Sequence, residues 1–138
     1  MSREAILCVD DEAVILLAIK QELKRYFGSR FVVETAMDAS EASAVIDELE
    51  AQDVRTVLVI SDWMMPGMRG DQFLVELHAR RPQIKAVLVT GLSSEDSERT
   101  WREAGLCACI RKPWRPHELY TVIEDCLADG GGGCRDFD

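Results

Sequence analysis

Three acids, one hydroxyl and one ammonium stand at the ends of short apolar runs: Asp10 and Asp11, Asp62, Thr90 and Lys112. If the runs are parallel strands, all five groups gather at one edge of a sheet, where open α/β sheets bind ligands. Carboxylates held a few ångströms apart repel, and at least one would have a raised pKa if left alone. A divalent cation relieves the repulsion, and all-oxygen donors with room for water suit Mg²⁺, with Mn²⁺ as the substitute. One carboxylate oxygen is then left to attack a phosphoryl group and form an aspartyl phosphate. Phosphoryl transfer needs charge neutralisation on the equatorial oxygens more than it needs acid–base groups. Lys112 and the Thr90 hydroxyl can supply part of it.

The elements that must position these residues follow from hydropathy. Residues 5–9 (AILCV), 31–35 (FVVET), 57–61 (VLVIS), 85–90 (KAVLVT) and 107–111 (CACIR) read as five strands. Helical stretches lie between them. In residues 13–27 the positions Ile15, Ile19, Leu23 and Phe27 recur at i, i+4 before Gly28, a natural stop. Asp38 and Glu41 form a capping pair ahead of a second helix with Ala42, Val45, Ile46 and Leu49. Phe73, Leu74 and Leu77 mark the third, residues 94–104 a more polar fourth, and residues 116–128 the last, with Leu119, Val122, Ile123 and Cys126 on one side. Continuous apolar strands alternating with helices predict a parallel sheet covered on both faces. Residues 1–128 are expected as one domain, and the glycine-rich residues 129–138 (DGGGGCRDFD) as a flexible tail or linker.

Composition narrows the function classes. The chain has 138 residues, enough for one domain, with 47% hydrophobic and 30% charged residues. The net charge of -9 argues against direct nucleic-acid binding by this domain, which needs a basic face. No apolar run approaches the roughly 18 residues of a membrane span, and no signal peptide opens the chain, so a cytoplasmic location is expected. Five cysteines, Cys8, Cys107, Cys109, Cys126 and Cys134, are an odd count that suggests thiols. Four of them sit in apolar patterns, as small buried side chains do. No ligand pair at zinc spacing is present.

Four segments, "VDDE" at 9–12, "SDWMMPGMRG" at 61–70, "VLVTG" at 87–91 and "RKPW" at 111–114, carry a resemblance to the response-regulator receiver family of two-component signal transduction. It covers residues ~4–128, and it is the order and spacing of all four that make it specific. The resemblance implies a flavodoxin-like (βα)5 fold, a three-layer sandwich on a five-stranded parallel sheet of order 2-1-3-4-5. It implies that Asp62 is the phosphoacceptor, Asp11 a direct Mg²⁺ ligand and Asp10 an acidic partner acting through water. The Met64 backbone carbonyl completes the metal shell, Thr90 closes on the phosphate, Lys112 pairs with it, and the Lys112–Pro113 peptide bond matches one that is often cis. A sensor histidine kinase or phosphotransfer protein would supply the phosphate. The output partner would be engaged through the face of the fourth helix, fifth strand and last helix, with a phosphorylation-dependent dimer among the assemblies expected.

Two positions depart from the family pattern. Cys109 stands where an aromatic switch residue is usual, and Leu92, two after Thr90, where many relatives carry a polar side chain that bears on phosphate lifetime. A receiver-like module that takes no phosphate is the alternative reading, and the complete acid–threonine–lysine set speaks against it. An aspartyl-nucleophile hydrolase of the haloacid dehalogenase type would need a second acid two residues after Asp62, where Met64 stands.

Overall fold

The computed structural model describes residues 3–63, 65, 67–90, 105–111, 115–128 and 135–137. Within them the order is β1 (Arg3–Val9), α1 (Ala13–Phe27), β2 (Val32–Ala36), α2 (Ala39–Ala51), β3 (Val54–Asp62), α3 (Gly70–Arg80), β4 (Lys85–Thr90), β5 (Leu106–Arg111), α4 (Pro116–Ala128) and β6 (Arg135–Phe137). The fourth helix expected over residues 94–104 lies outside the described residues. Every strand pair is parallel.

β1 shows why the sheet is central: residues 5–9 are all buried, so both faces of the strand are covered. On one face Ile6, Cys8, Ile60, Val87 and Ile110 pack against Leu16, Leu23 and Phe27 of α1 and Leu119 and Ile123 of α4. On the other, Leu7, Val9, Val59 and Leu88 meet Ala42 and Ile46 of α2 and Phe73, Leu74 and Leu77 of α3. These are the three layers. The α1 stripe is Leu16, Ile19, Leu23 and Phe27, so Leu16 is buried where Ile15 was expected, and Ile15 is only partly buried against the same core. Gly28 ends the helix at φ 61°, with its N–H on the Lys24 carbonyl. Asp38 caps α2 by accepting the Glu41 N–H at 2.7 Å.

The sheet order is β2-β1-β3-β4-β5-β6. The expected 2-1-3-4-5 order holds, and a short sixth strand is added at its edge. Residues 135–137, expected within a flexible tail, pair with β5 from Ala108↔Arg135 to Ile110↔Phe137. The edge of β5 offers backbone groups to any strand that reaches it.

A second correction concerns the thiols. Cys107 and Cys126 are joined in a disulfide, with Cα atoms 5.8 Å apart, while Cys8 and Cys109 are buried thiols. The cause is a register shift. Leu106 pairs with Ala86 and Ala108 with Val87, which leaves Cys107 as an extra residue in β5. A bulge re-aims its side chain. Cys107 therefore joins the α1/α4 side of the core, and Cys109 the α2/α3 side. Among the described residues no helix is long and apolar enough to cross a membrane.

Candidate functional site

β1 and β3 are neighbours, and their register pairs Val9 with Ser61. The next residues, Asp10 and Asp62, are thereby set side by side at the carboxyl edge of the sheet. Carboxylate oxygens of Asp10, Asp11 and Asp62 all lie within 4.8 Å of one another. Asp10 and Asp62 are buried, at 3% and 8% exposure, and Asp11 is the most exposed of the three. Asp10 also shapes the turn: its Oδ1 accepts the Glu12 N–H at 2.9 Å, and its own N–H donates to the Ala36 carbonyl at 3.1 Å. The charge of Asp10 reaches the strand beneath it. Burial first, and then Asp10, push the Cys8 thiol up to about 12, so that thiol stays protonated and inert.

The donor set fits one small divalent cation. One carboxylate oxygen from each acid, all within 4.8 Å of one another, could be shared by a single ion. Three carboxylates without soft donors suit a hard cation.

The loop after Asp62 is tied at both ends. The Trp63 N–H donates to the Val89 carbonyl at 2.9 Å, and the Gly70 N–H to the Trp63 carbonyl at 2.7 Å. Trp63 was expected in the site loop whatever else it does, and it packs with Met65 in the α2/α3 core. Gly70 is a wall of the site that residue types alone did not single out. A Cβ there would stand 1.8 Å from the Asp62 carbonyl oxygen and 2.9 Å from Ser61 Oγ. Its signal in the sequence is only a glycine opening an amphipathic helix. Close behind, Arg69 grips the buried Asp71 with two hydrogen bonds of 3.1 and 3.0 Å.

Thr90 ends β4 with its backbone in register with Arg111 of β5, at the same edge as the acids. Met64, Leu92, Lys112 and Pro113 lie outside the described residues. Cys109 is buried on β5, in register with Leu88.

Comparison with known proteins identifies the family. The response regulator receiver domain family matches residues 6–124, and the chain belongs to it. A chemotaxis protein CheY homolog of Campylobacter jejuni is 31% identical, over 92% of this chain and 95% of its own length. The hydrogenase transcriptional regulatory protein HoxA of Cupriavidus necator is 34% identical over 91% of this chain, which spans 24% of HoxA. Among solved structures, the CheY-like response regulator receiver domain protein of Methanospirillum hungatei superposes with a TM-score of 0.79 at 32% identity, covering 94% of this chain and 97% of the other. The chain spans about a quarter to a little over half of several other curated relatives. It is a regulatory receiver domain with the flavodoxin-like fold.

Proposed function

We propose that Asp62 accepts a phosphoryl group from a sensor histidine kinase or phosphotransfer protein, and that the modified domain changes its affinity for an output partner. The observation that carries this reading is the meeting of Asp10, Asp11 and Asp62 within 4.8 Å at the carboxyl edge of the sheet. Asp62 is the nucleophile because it ends the central strand β3 and has Asp10 and Asp11 on one flank and the end of β4, with Thr90, on the other. Asp10, Asp11 and Asp62 would hold Mg²⁺, with the Met64 backbone carbonyl as a further ligand. The cation, when bound, offsets the charge that builds on the phosphoryl oxygens. The Thr90 hydroxyl and the Lys112 ammonium take the remaining oxygens. The same groups position water for a slow self-dephosphorylation, so the domain catalyses only its own modification and reset.

The phosphodonor needs a seat near Asp62. Val14 and Leu17 of α1 are 80% and 58% exposed, one helical turn apart, on the helix that starts directly after the acidic pair. Apolar side chains left in water beside a reactive site suit an apolar donor surface. A cytoplasmic location goes with this reading. So does switching through the face that includes β5 and α4, by a shift in the balance of two conformations.

The test is incubation with acetyl phosphate and Mg²⁺, read by intact mass. The expected result is a gain of about 80 Da, one phosphoryl group, lost in Asp62→Asn. No adduct under saturating phosphodonor would favour a module that takes no phosphate. Repeated turnover of phosphate esters would favour a hydrolase.

A further inference from the structure

Receiver function uses the carboxyl edge of the sheet, and Cys107 and Cys126 lie away from it. Cys107 is near the start of β5, and Cys126 is in the last turn of α4. α4 returns antiparallel to β5, so the pair joins the two elements at the end opposite the acids. The bulge at Cys107 is what turns its sulfur toward α4; strict alternation would have aimed it with Cys109 at the other face. A Cα separation of 5.8 Å is in the usual range for a bridge. Lys85 donates to the Cys126 carbonyl, so this helix end is also held to the start of β4.

We propose that Cys107 and Cys126 form a reversible oxidation site, and that oxidation clamps α4 to β5. In a reducing compartment the pair rests as the dithiol, and α4 is held by non-covalent contacts: the burial of Leu119, Val122 and Ile123, and polar bonds such as Tyr120 to Glu22 and Arg30 to Glu124. The oxidant is a peroxide. Cys107, 8% exposed against 2% for Cys126, is attacked first. Its thiolate forms an S–O bond as the peroxide O–O bond breaks and hydroxide leaves. The Cys126 thiolate then attacks that sulfur, the S–S bond forms, and the second hydroxide departs. Two electrons pass from the sulfurs to the peroxide. A small dithiol reverses the step by exchange through a mixed disulfide. With the bridge closed, α4 is fixed at both ends, by the chain at the site edge and by sulfur at the far edge. The site does not depend on phosphorylation, so its test stands whether or not Asp62 takes phosphate.

The experiment compares the full chain reduced with dithiothreitol and then treated with hydrogen peroxide or left alone. Each sample is quenched with N-ethylmaleimide under denaturing conditions and mapped by mass spectrometry. The expected result is a loss of two hydrogens and a cross-linked peptide pair carrying Cys107 and Cys126, restored to two alkylated thiols by dithiothreitol. Two alkylatable thiols after peroxide, or bridges through Cys109 or Cys134 instead, would overturn the proposal. Closing a loop of 19 residues should also raise the melting temperature by several degrees on oxidation, with no such rise in Cys126→Val. Should that variant fail to fold, the wild-type mapping decides. Hydrogen exchange of α4 should slow on oxidation, and equal exchange in the two states would remove the clamp.

Discussion

At the scale of single residues, the site depends on a side chain that is missing. Gly70 opens α3 with its Cα against the Asp62 backbone, and a methyl group placed there would fall 1.8 Å from the Asp62 carbonyl oxygen. Backbone cannot yield as a flexible side chain can, so either α3 or the end of β3 must move. Overpacking of this kind costs about 1–3 kcal/mol. We expect Gly70→Ala to lower the urea midpoint accordingly and to slow labelling by acetyl phosphate severalfold, because Asp62 is displaced from Asp10 and Asp11. Gly67→Ala is the control: its φ of 82° strains alanine, but nothing lies within 4 Å of the added carbon. That variant should lose stability and keep its labelling rate per folded molecule. Equal labelling loss in both would mean that Gly70 has no special hold on Asp62. The sequence made the acids legible and this glycine not, because charge at a strand end is visible by residue type, while close approach is a property of packing.

At the scale of elements, α2 and α3 are joined at the surface by one arginine. Arg81, at the end of α3, donates to both oxygens of Glu50 at 2.9 and 3.0 Å and to Asp47 at 2.7 Å. These hydrogen bonds hold the Glu50 carboxyl below its ordinary 4.5, against a small opposing effect of burial. A folded-state pKa that is lowered adds stability above the unfolded value, and that stability is lost as pH falls through the folded one. Arg81→Gln keeps the backbone bond to Leu77 that closes α3. It should cost about 1 kcal/mol or less at neutral pH, since exposed pairs are screened. The difference from wild type in urea unfolding should shrink steadily below pH 4.5. A difference that stays constant into acid would assign the effect to packing of the arginine stem instead. Element boundaries show where sequence reading reaches its limit. The start of β3 was missed because Val54, Arg55 and Thr56 alternate buried, exposed, buried, as an edge does, before the continuous run begins. The disulfide was missed for a related reason: counting by twos along β5 puts Cys107 and Cys109 on one face, and the bulge that separates them leaves no mark in residue types. Strand 6 has only three residues, too few for any hydropathic period.

At the scale of the whole molecule, topology does what no single segment could announce. Asp10 and Asp62 are 52 positions apart in the chain, yet parallel pairing of β1 with β3 makes them neighbours. Their convergence was readable only because parallel strands all end on one edge. The same arrangement concentrates negative charge in a molecule that already carries -9. Two of the three acids are buried, where repulsion is least screened. Folding without a cation must therefore work against that repulsion, and a cation that binds only the folded state returns the lost stability by linkage. At a tenfold excess over its dissociation constant the gain is about 1.4 kcal/mol, from the logarithm of ligand excess, and each kcal/mol is worth a few degrees of melting temperature in a domain of this size. Mg²⁺ should thus raise the melting temperature by several degrees at constant ionic strength. Trp63 fluorescence should change with the same midpoint, because that residue follows Asp62 directly and is bonded to Val89. Asp11→Asn removes one charge from the cluster, so it should melt higher than wild type without Mg²⁺ and gain little when the cation is added. The two curves would then approach each other as Mg²⁺ rises. If wild type shows no shift in melting or in emission at saturating Mg²⁺, the cluster does not hold the cation. If Asp11→Asn gains as much as wild type, Asp11 is not one of its ligands.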